Sequence, residues 1–136
     1  MSDLSNKLKL KLGQEVAILH APAGYREQLG ELPGGITAVD ETTAASQAAG
    51  SCDFVQLFAG NLAELAERVP EAIRLLTEDG TFWISYPKGT SKLKSDLNRD
   101  TAWEAMKPTG LRPVSQVAVD DTWSALRFRP AEKVGK

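Results

Sequence analysis

Two strand-like runs near the end of the chain, Leu111–Val119 and Thr122–Arg129, are separated only by Asp120-Asp121. A link that short leaves no room for a crossover, so the two runs pair as an antiparallel hairpin. The chain before them has a different rhythm. Through residue 106, apolar strand-like runs alternate with helical patterns. Such alternation implies right-handed crossovers and a parallel sheet covered on both faces. A mostly parallel sheet that finishes in a hairpin is a narrow class of folds, and it fixes where a ligand would sit.

Taken in order, residues 1–6 are small and polar and read as loose. Lys7-Leu-Lys-Leu-Lys-Leu12 alternates with period two, the pattern of a short amphipathic strand or a solvated lead-in. Glu15-Val-Ala-Ile-Leu-His20 is the first buried strand, and Ala21-Pro-Ala-Gly-Tyr25 ends it. A short helix over Tyr25–Leu29 would close at Gly30. Leu32-Pro-Gly-Gly35 is a turn, Ile36–Val39 a short second strand, and Asp40–Ser51 a loop. Cys52–Ala59 is the third strand, with Phe54, Gln56 and Phe58 on one face and Val55, Leu57 and Ala59 on the other.

Asn61 caps the next helix, with Glu64 in capping-box spacing. Leu62, Leu65, Ala66, Val69, Ile73 and Leu76 form its apolar stripe. Pro70 predicts a kink or restart inside it, and Glu78-Asp-Gly80 its close. Thr81–Tyr86 is the fourth strand. A last helix runs from Ser95 to Met106, with Ser95 as its N-cap and Asp96 on its positive end. Pro108-Thr-Gly110 ends it.

The expected architecture is a three-layer, Rossmann-like α/β domain spanning residues 1–136, with a mostly parallel sheet of about six strands and a C-terminal antiparallel hairpin. Composition agrees. Apolar residues make up 42% and charged residues 25%, as in a folded globular chain. A formal net charge of -2 argues against a generally basic nucleic-acid binder and confines any anion site to a local patch. One cysteine and one histidine leave no basis for a zinc or iron centre, so no metal is expected. No apolar run approaches the roughly 18 residues of a membrane span, and the expected location is the cytoplasm.

One stretch carries chemistry that asks for a ligand, Tyr86-Pro-Lys-Gly-Thr-Ser-Lys-Leu-Lys-Ser-Asp-Leu-Asn-Arg99. It leaves the carboxyl end of a strand, where ligands sit in open α/β sheets, and feeds a helix N-terminus. Lys88, Lys92 and Lys94 add charge, Gly89 allows backbone approach, and Thr90 and Ser91 offer hydroxyls. The glycine spacing and lysine-hydroxyl ending of a Walker loop are absent. The bland alternative is a solvated loop whose lysines pair with Asp96, Asp100 or other surface acids. His20 ends the first strand and faces the same edge. The expected ligand-binding set is therefore His20, Tyr86, Lys88, Gly89, Thr90, Ser91, Lys92 and Lys94, with no catalytic residue.

Other candidates read as structural. Cys52 opens a buried strand and behaves as a core thiol. Asp120 and Asp121 suit a hairpin turn, accepting local backbone bonds. Three tryptophans, Trp83, Trp103 and Trp123, serve as anchors; Tyr25, Tyr86 and Trp103 are the aromatics placed to stack a base.

The element string over residues 12–129 resembles the class I S-adenosylmethionine-dependent methyltransferase fold, and Leu75-Leu76... through "Thr-Glu-Asp-Gly-Thr-Phe-Trp-Ile-Ser" (77–85) is similar to its late helix-turn-strand. By that resemblance a strand and helix are missing between Val39 and Cys52. The resemblance implies a glycine-rich, acidic turn after the first strand; this chain has Leu19-His-Ala-Pro-Ala-Gly-Tyr25 there, with one glycine, a proline and no acid. It also implies a ribose-binding acid after the second strand, where Asp40 and Glu41 stand. The phrases "Ala-Pro-Ala-Gly-Tyr", "Asp-Phe-Val-Gln-Leu-Phe", "Tyr-Pro-Lys-Gly-Thr-Ser-Lys-Leu-Lys-Ser-Asp-Leu-Asn-Arg-Asp" and "Val-Asp-Asp-Thr-Trp-Ser-Ala-Leu-Arg-Phe" are similar to a small bacterial family of single-domain proteins of unassigned function, with this fold in trimmed form.

The leading expectation is thus a non-catalytic domain, without a cofactor, that binds a phosphate-containing small molecule or a protein partner at the carboxyl edge. One alternative is an S-adenosylmethionine-dependent methyltransferase with an atypical cofactor loop. The other is an interaction or oligomerisation module without ligand.

Overall fold

The computed structural model describes residues 8, 15–25, 27, 39–40, 46–88, 95–120 and 122–130. Among these residues, the named elements follow in the order β1 (Val16–Leu19), β2 (Cys52–Phe58), α1 (Leu62–Leu75), β3 (Leu76–Pro87), α2 (Arg99–Met106), β4 (Leu111–Ala118) and β5 (Trp123–Pro130). The spatial order is β1-β2-β3-β5-β4. β1, β2 and β3 are parallel; β5 runs antiparallel to both β3 and β4. The hairpin therefore inserts its second strand beside β3 and leaves β4 at the edge, parallel to the first three. Val39 flanks β1 on its other side, with Val39 N–H donating to Val16 O at 2.9 Å and Ile18 N–H to Val39 O at 2.8 Å.

Strand periodicity divides the core into two layers. On one face Ala17, Leu19, Val55, Leu57, Phe82, Ile84, Leu126 and Phe128 meet the buried residues of α1 and α2. On the other, Val16, Ile18, Phe54, Phe58, Trp83 and Ala125 gather with Leu8 and Tyr25. The expected partition of the third strand is the observed one. Leu8 stands in a turn, fully buried, and its carbonyl accepts the Trp83 Nε1–H at 3.0 Å. The remainder of the alternating stretch 7–12 lies outside the described residues, as do most of the expected 25–29 helix and 36–39 strand, Asp121, and both termini.

α1 begins as its sequence predicts. Asn61 Oδ1 accepts the Glu64 N–H at 2.9 Å. Glu64 reaches back one residue further than a standard capping box, to Gly60 N–H at 2.7 Å. The helix runs unbroken across Pro70 instead of restarting. Pro70 and Ala66 are both exposed, so water can solvate the carbonyl that proline leaves without a donor.

Three boundary expectations need correction. The helix does not close through Glu78-Asp-Gly80: it stops at Leu75 and β3 starts at Leu76. A bulge absorbs the extra residues, since Cys52 pairs with Leu76 and Phe54 with Thr81. Gly80 makes that bulge possible, because a Cβ there would lie 2.6 Å from Leu76 Cδ1 and 3.2 Å from Asp53 O. Gly80→Ala is expected to lower stability by about 1–3 kcal/mol through overpacking, measurable by urea unfolding.

The N-cap of α2 is Asn98, not Ser95, and it forms a reciprocal capping box with Thr101. Asp96 does serve a helix N-terminus, but that of α1, where its Oδ1 accepts the Leu62 N–H at 2.9 Å. Ser95 Oγ donates to Gly60 O at 2.6 Å. These two bonds fold the segment before α2 over the end of β2. A 3-10 turn, Lys107–Thr109, and left-handed Gly110 then reverse the chain into β4.

Candidate functional site

Because β1, β2 and β3 are parallel, their carboxyl ends bring His20, Gly60 and Lys88 to one edge of the sheet. Asp40, one residue past Val39, joins them there. The chain leaves β1 in two spatial directions: Val39 flanks it on one side and β2 on the other. That is a topological switch point, and in open α/β sheets the crevice outside it is where ligands bind. The switch lies between β1 and β2, one strand away from Lys88.

The turn on β1 is built from two left-handed residues. His20 has φ 61° and Gly24 φ 83°. Histidine is an uncommon occupant of this region and pays backbone strain there. The two residues swing the chain off the strand end, and Tyr25 N–H closes the turn on Pro22 O at 3.1 Å. A Cβ added at Gly24 would meet nothing within 4 Å, so the space beside it is open.

Tyr25 fastens this turn to the sheet. It is 1% exposed, and its ring stands edge-on to Phe58 with centroids 4.7 Å apart. Phe58 in turn meets Trp123 at 5.3 Å. The Tyr25 hydroxyl donates to Gln56 Oε1 at 2.7 Å, and Gln56 Nε2 donates to Ser85 Oγ at 2.9 Å. Gln56 and Ser85 are wholly buried. This chain of three polar groups links the β1 turn, β2 and β3 beneath the crevice. Burial drives the Tyr25 phenol well above its ordinary pKa; the Gln56 bond opposes the shift and the Asp120 charge adds to it. The phenol is thus a fixed neutral donor.

The rest of the edge is tied down. Arg68 donates to Phe58 O at 3.0 Å and sits 3.6 Å from Glu64. Lys88 N–H donates to Thr122 O at 2.8 Å, holding the end of β3 to the hairpin turn. Asp120 Oδ1 accepts the Thr122 and Trp123 N–H groups, each at 2.8 Å, as expected for a turn aspartate. Cys52 is buried, and desolvation raises its thiol pKa, consistent with a core role.

Of the predicted site residues, the structure places His20 at the switch point and Lys88 at the end of β3. Tyr86 is buried among the α1–α2 layer, with its hydroxyl accepting the Gln116 Nε2–H at 2.9 Å. Core packing occupies the rings of Tyr25 and Tyr86, so neither presents a face for stacking; Trp103 alone of the three named aromatics is exposed. Gly89, Thr90, Ser91, Lys92 and Lys94 lie outside the described residues. Sequence reasoning missed the Tyr25–Gln56–Ser85 chain, although Gln56 gave a signal as the one uncharged polar side chain inside an apolar strand.

No family model matches the chain, and no curated protein matches its sequence. Solved structures do match in shape. The fold is that of the S-adenosylmethionine-dependent methyltransferases. A methyltransferase of this kind from Aquifex aeolicus is 14% identical, with a TM-score of 0.62 over 93% of this chain and 88% of its own. The ribosomal protein L11 methylase of Lactobacillus delbrueckii subsp. bulgaricus is 11% identical, with a TM-score of 0.59 over 93% and 76%. The 1,6-didemethyltoxoflavin-N1-methyltransferase of Burkholderia thailandensis, which holds S-adenosylhomocysteine, is 14% identical, with a TM-score of 0.58 over 93% and 76%. These neighbours correct the expected partner. The Aquifex protein is named as dependent on S-adenosylmethionine and the Burkholderia protein holds S-adenosylhomocysteine; neither compound carries a phosphate, unlike the phosphate-containing small molecule expected. Among the described residues, no helix is long and apolar enough to cross a membrane.

Proposed function

We propose that the chain is an S-adenosylmethionine-dependent methyltransferase with an atypical cofactor loop. The observation that carries this reading is the switch-point crevice, with the left-handed turn His20–Gly24 on one wall and Asp40 at the end of the segment flanking β1.

The residues fit the nucleoside part of such a ligand. A carboxylate at Asp40 is suited to accept hydrogen bonds from a ribose diol. The open space beside Gly24 admits a ligand against the backbone of the turn. Two left-handed residues there replace the missing glycines as the means of turning the chain sharply off β1. The Tyr25–Gln56–Ser85 chain holds that turn in place from below. The acid absent from the end of β1 leaves the amino-acid end of the ligand to the backbone and His20. When bound, the ligand supplies a sulfonium methyl group as the electrophile; the protein's task is to orient it and exclude water.

Isothermal titration with S-adenosylhomocysteine tests the reading. Saturable binding is expected, and Asp40→Ala should weaken it roughly ten- to a hundredfold, the worth of a charged hydrogen-bond acceptor. Absence of binding to the unaltered protein contradicts the proposal.

A further inference from the structure

The opposite, amino edge of the sheet carries a separate set of groups. Arg112 in β4 and Arg129 in β5 are direct cross-strand partners. Arg127, two residues before Arg129, lies on the same face but further into the sheet, opposite Trp83. Like charges placed opposite one another destabilise a hairpin. The ion pairs on the described surface go to Arg68, Arg74 and Lys107, and none involves these three arginines. Arg127 Nε is buried with no hydrogen-bond partner among the described residues. Burial, and then the charge of Arg129, hold the Arg127 guanidinium below its ordinary pKa.

Beside this cluster, around the edge of β4, lies a cavity of about 270 Å³ lined by Trp103, Lys107, Gly110, Leu111 and Arg112. Trp103 is 41% exposed, one of two large apolar side chains that face solvent among the described residues. Lys107 Nζ stands 5.3 Å from its ring centroid and is held by Glu104 at 2.9 Å. The surface thus pairs the Trp103 indole with Arg112, which lines the same cavity, and with Arg129 across the hairpin; among the described residues neither guanidinium has an ion-pair partner, on a chain whose net charge is -2.

We propose that this edge binds single-stranded nucleic acid, with a base stacked on Trp103 and backbone phosphates on Arg112 and Arg129. Aromatic platforms beside a basic track are how unpaired strands are held without sequence readout. A paired duplex keeps its bases stacked and would not present a base face to the indole. The guanidinium fork matches a phosphate bidentately. The site is independent of the cofactor reading, since it lies at the other end of the strands.

Fluorescence anisotropy with a labelled oligouridylate of about a dozen nucleotides, long enough for one such site, tests it. Binding is expected at low salt and should weaken steeply as salt rises. Trp103→Ala should weaken it roughly tenfold. Arg112→Gln with Arg129→Gln should weaken it at least as much while leaving the melting temperature unchanged or higher, because the like-charge repulsion is removed. No binding at low salt overturns the proposal. So does binding that the arginine pair variant leaves intact, or competition by polyglutamate as effective as by unlabelled RNA, which would assign the surface to an acidic peptide.

Discussion

Phe58→Ala is expected to cost about 3–5 kcal/mol, a large share of the roughly 5–15 kcal/mol that holds a domain of this kind folded. Phe58 is 1% exposed at the end of β2. Its ring is the shared partner of Tyr25 at 4.7 Å and Trp123 at 5.3 Å. Truncation leaves a cavity where three segments meet: the turn after β1, the strand β2 and the start of β5. The loss includes transfer of the ring, the cavity, and two edge-on aromatic contacts. Urea unfolding gives the magnitude. Phe58→Leu, which refills most of the volume, should recover more than half of the loss. A cost below about 1 kcal/mol for the alanine variant would show that Phe58 does not bridge these segments.

Gln56→Leu is the second large effect, expected at about 2–4 kcal/mol in the same assay. The apolar side chain fills the space, so cavity formation is minor. The cost comes from the Tyr25 and Ser85 hydroxyls, each stripped of its partner inside the protein at about 1–3 kcal/mol. The effect must therefore be non-additive. Tyr25→Phe and Ser85→Ala, combined with Gln56→Leu, remove the orphaned groups and should restore much of the stability. A triple variant as unstable as the sum of its parts would contradict the network. The same single change should loosen the turn that carries His20, and so weaken S-adenosylhomocysteine binding beyond what global unfolding explains.

Most of the fold was legible because it depends on period and punctuation. Asp120-Asp121 forced the hairpin, and the alternation in Cys52–Ala59 assigned its faces. Asn61 announced α1 because its cap is a local interaction, three residues long. Boundaries set by tertiary contacts were not legible. Ser95 and Asp96 look like a helix start, but Gly60 and Leu62, more than 30 residues away in sequence, claim them. Gly80 reads as a helix terminator, whereas its lack of a Cβ serves a bulge against β2. The candidate site was legible only in outline. His20 lies at the carboxyl edge, where the end of its strand sets it, and Lys88 at the end of β3, one strand away from the switch point, while residues 89–94 lie outside the described residues. A switch point is a property of spatial strand order, which the position of Val39 beside β1 decides. The arginines at 112, 127 and 129 carry no motif spacing; only the register of the hairpin sets Arg112 against Arg129.

A ¹H–¹⁵N correlation titration of the unlabelled ligand S-adenosylhomocysteine into ¹⁵N-labelled protein tests the central claim most directly, because it reports both binding and place. The account predicts saturable shifts confined to the carboxyl edge, centred on the amides of His20, Gly24, Asp40 and Gly60. A spectrum that does not change, or shifts gathered instead around Trp103 and Arg112 at the amino edge, would contradict it.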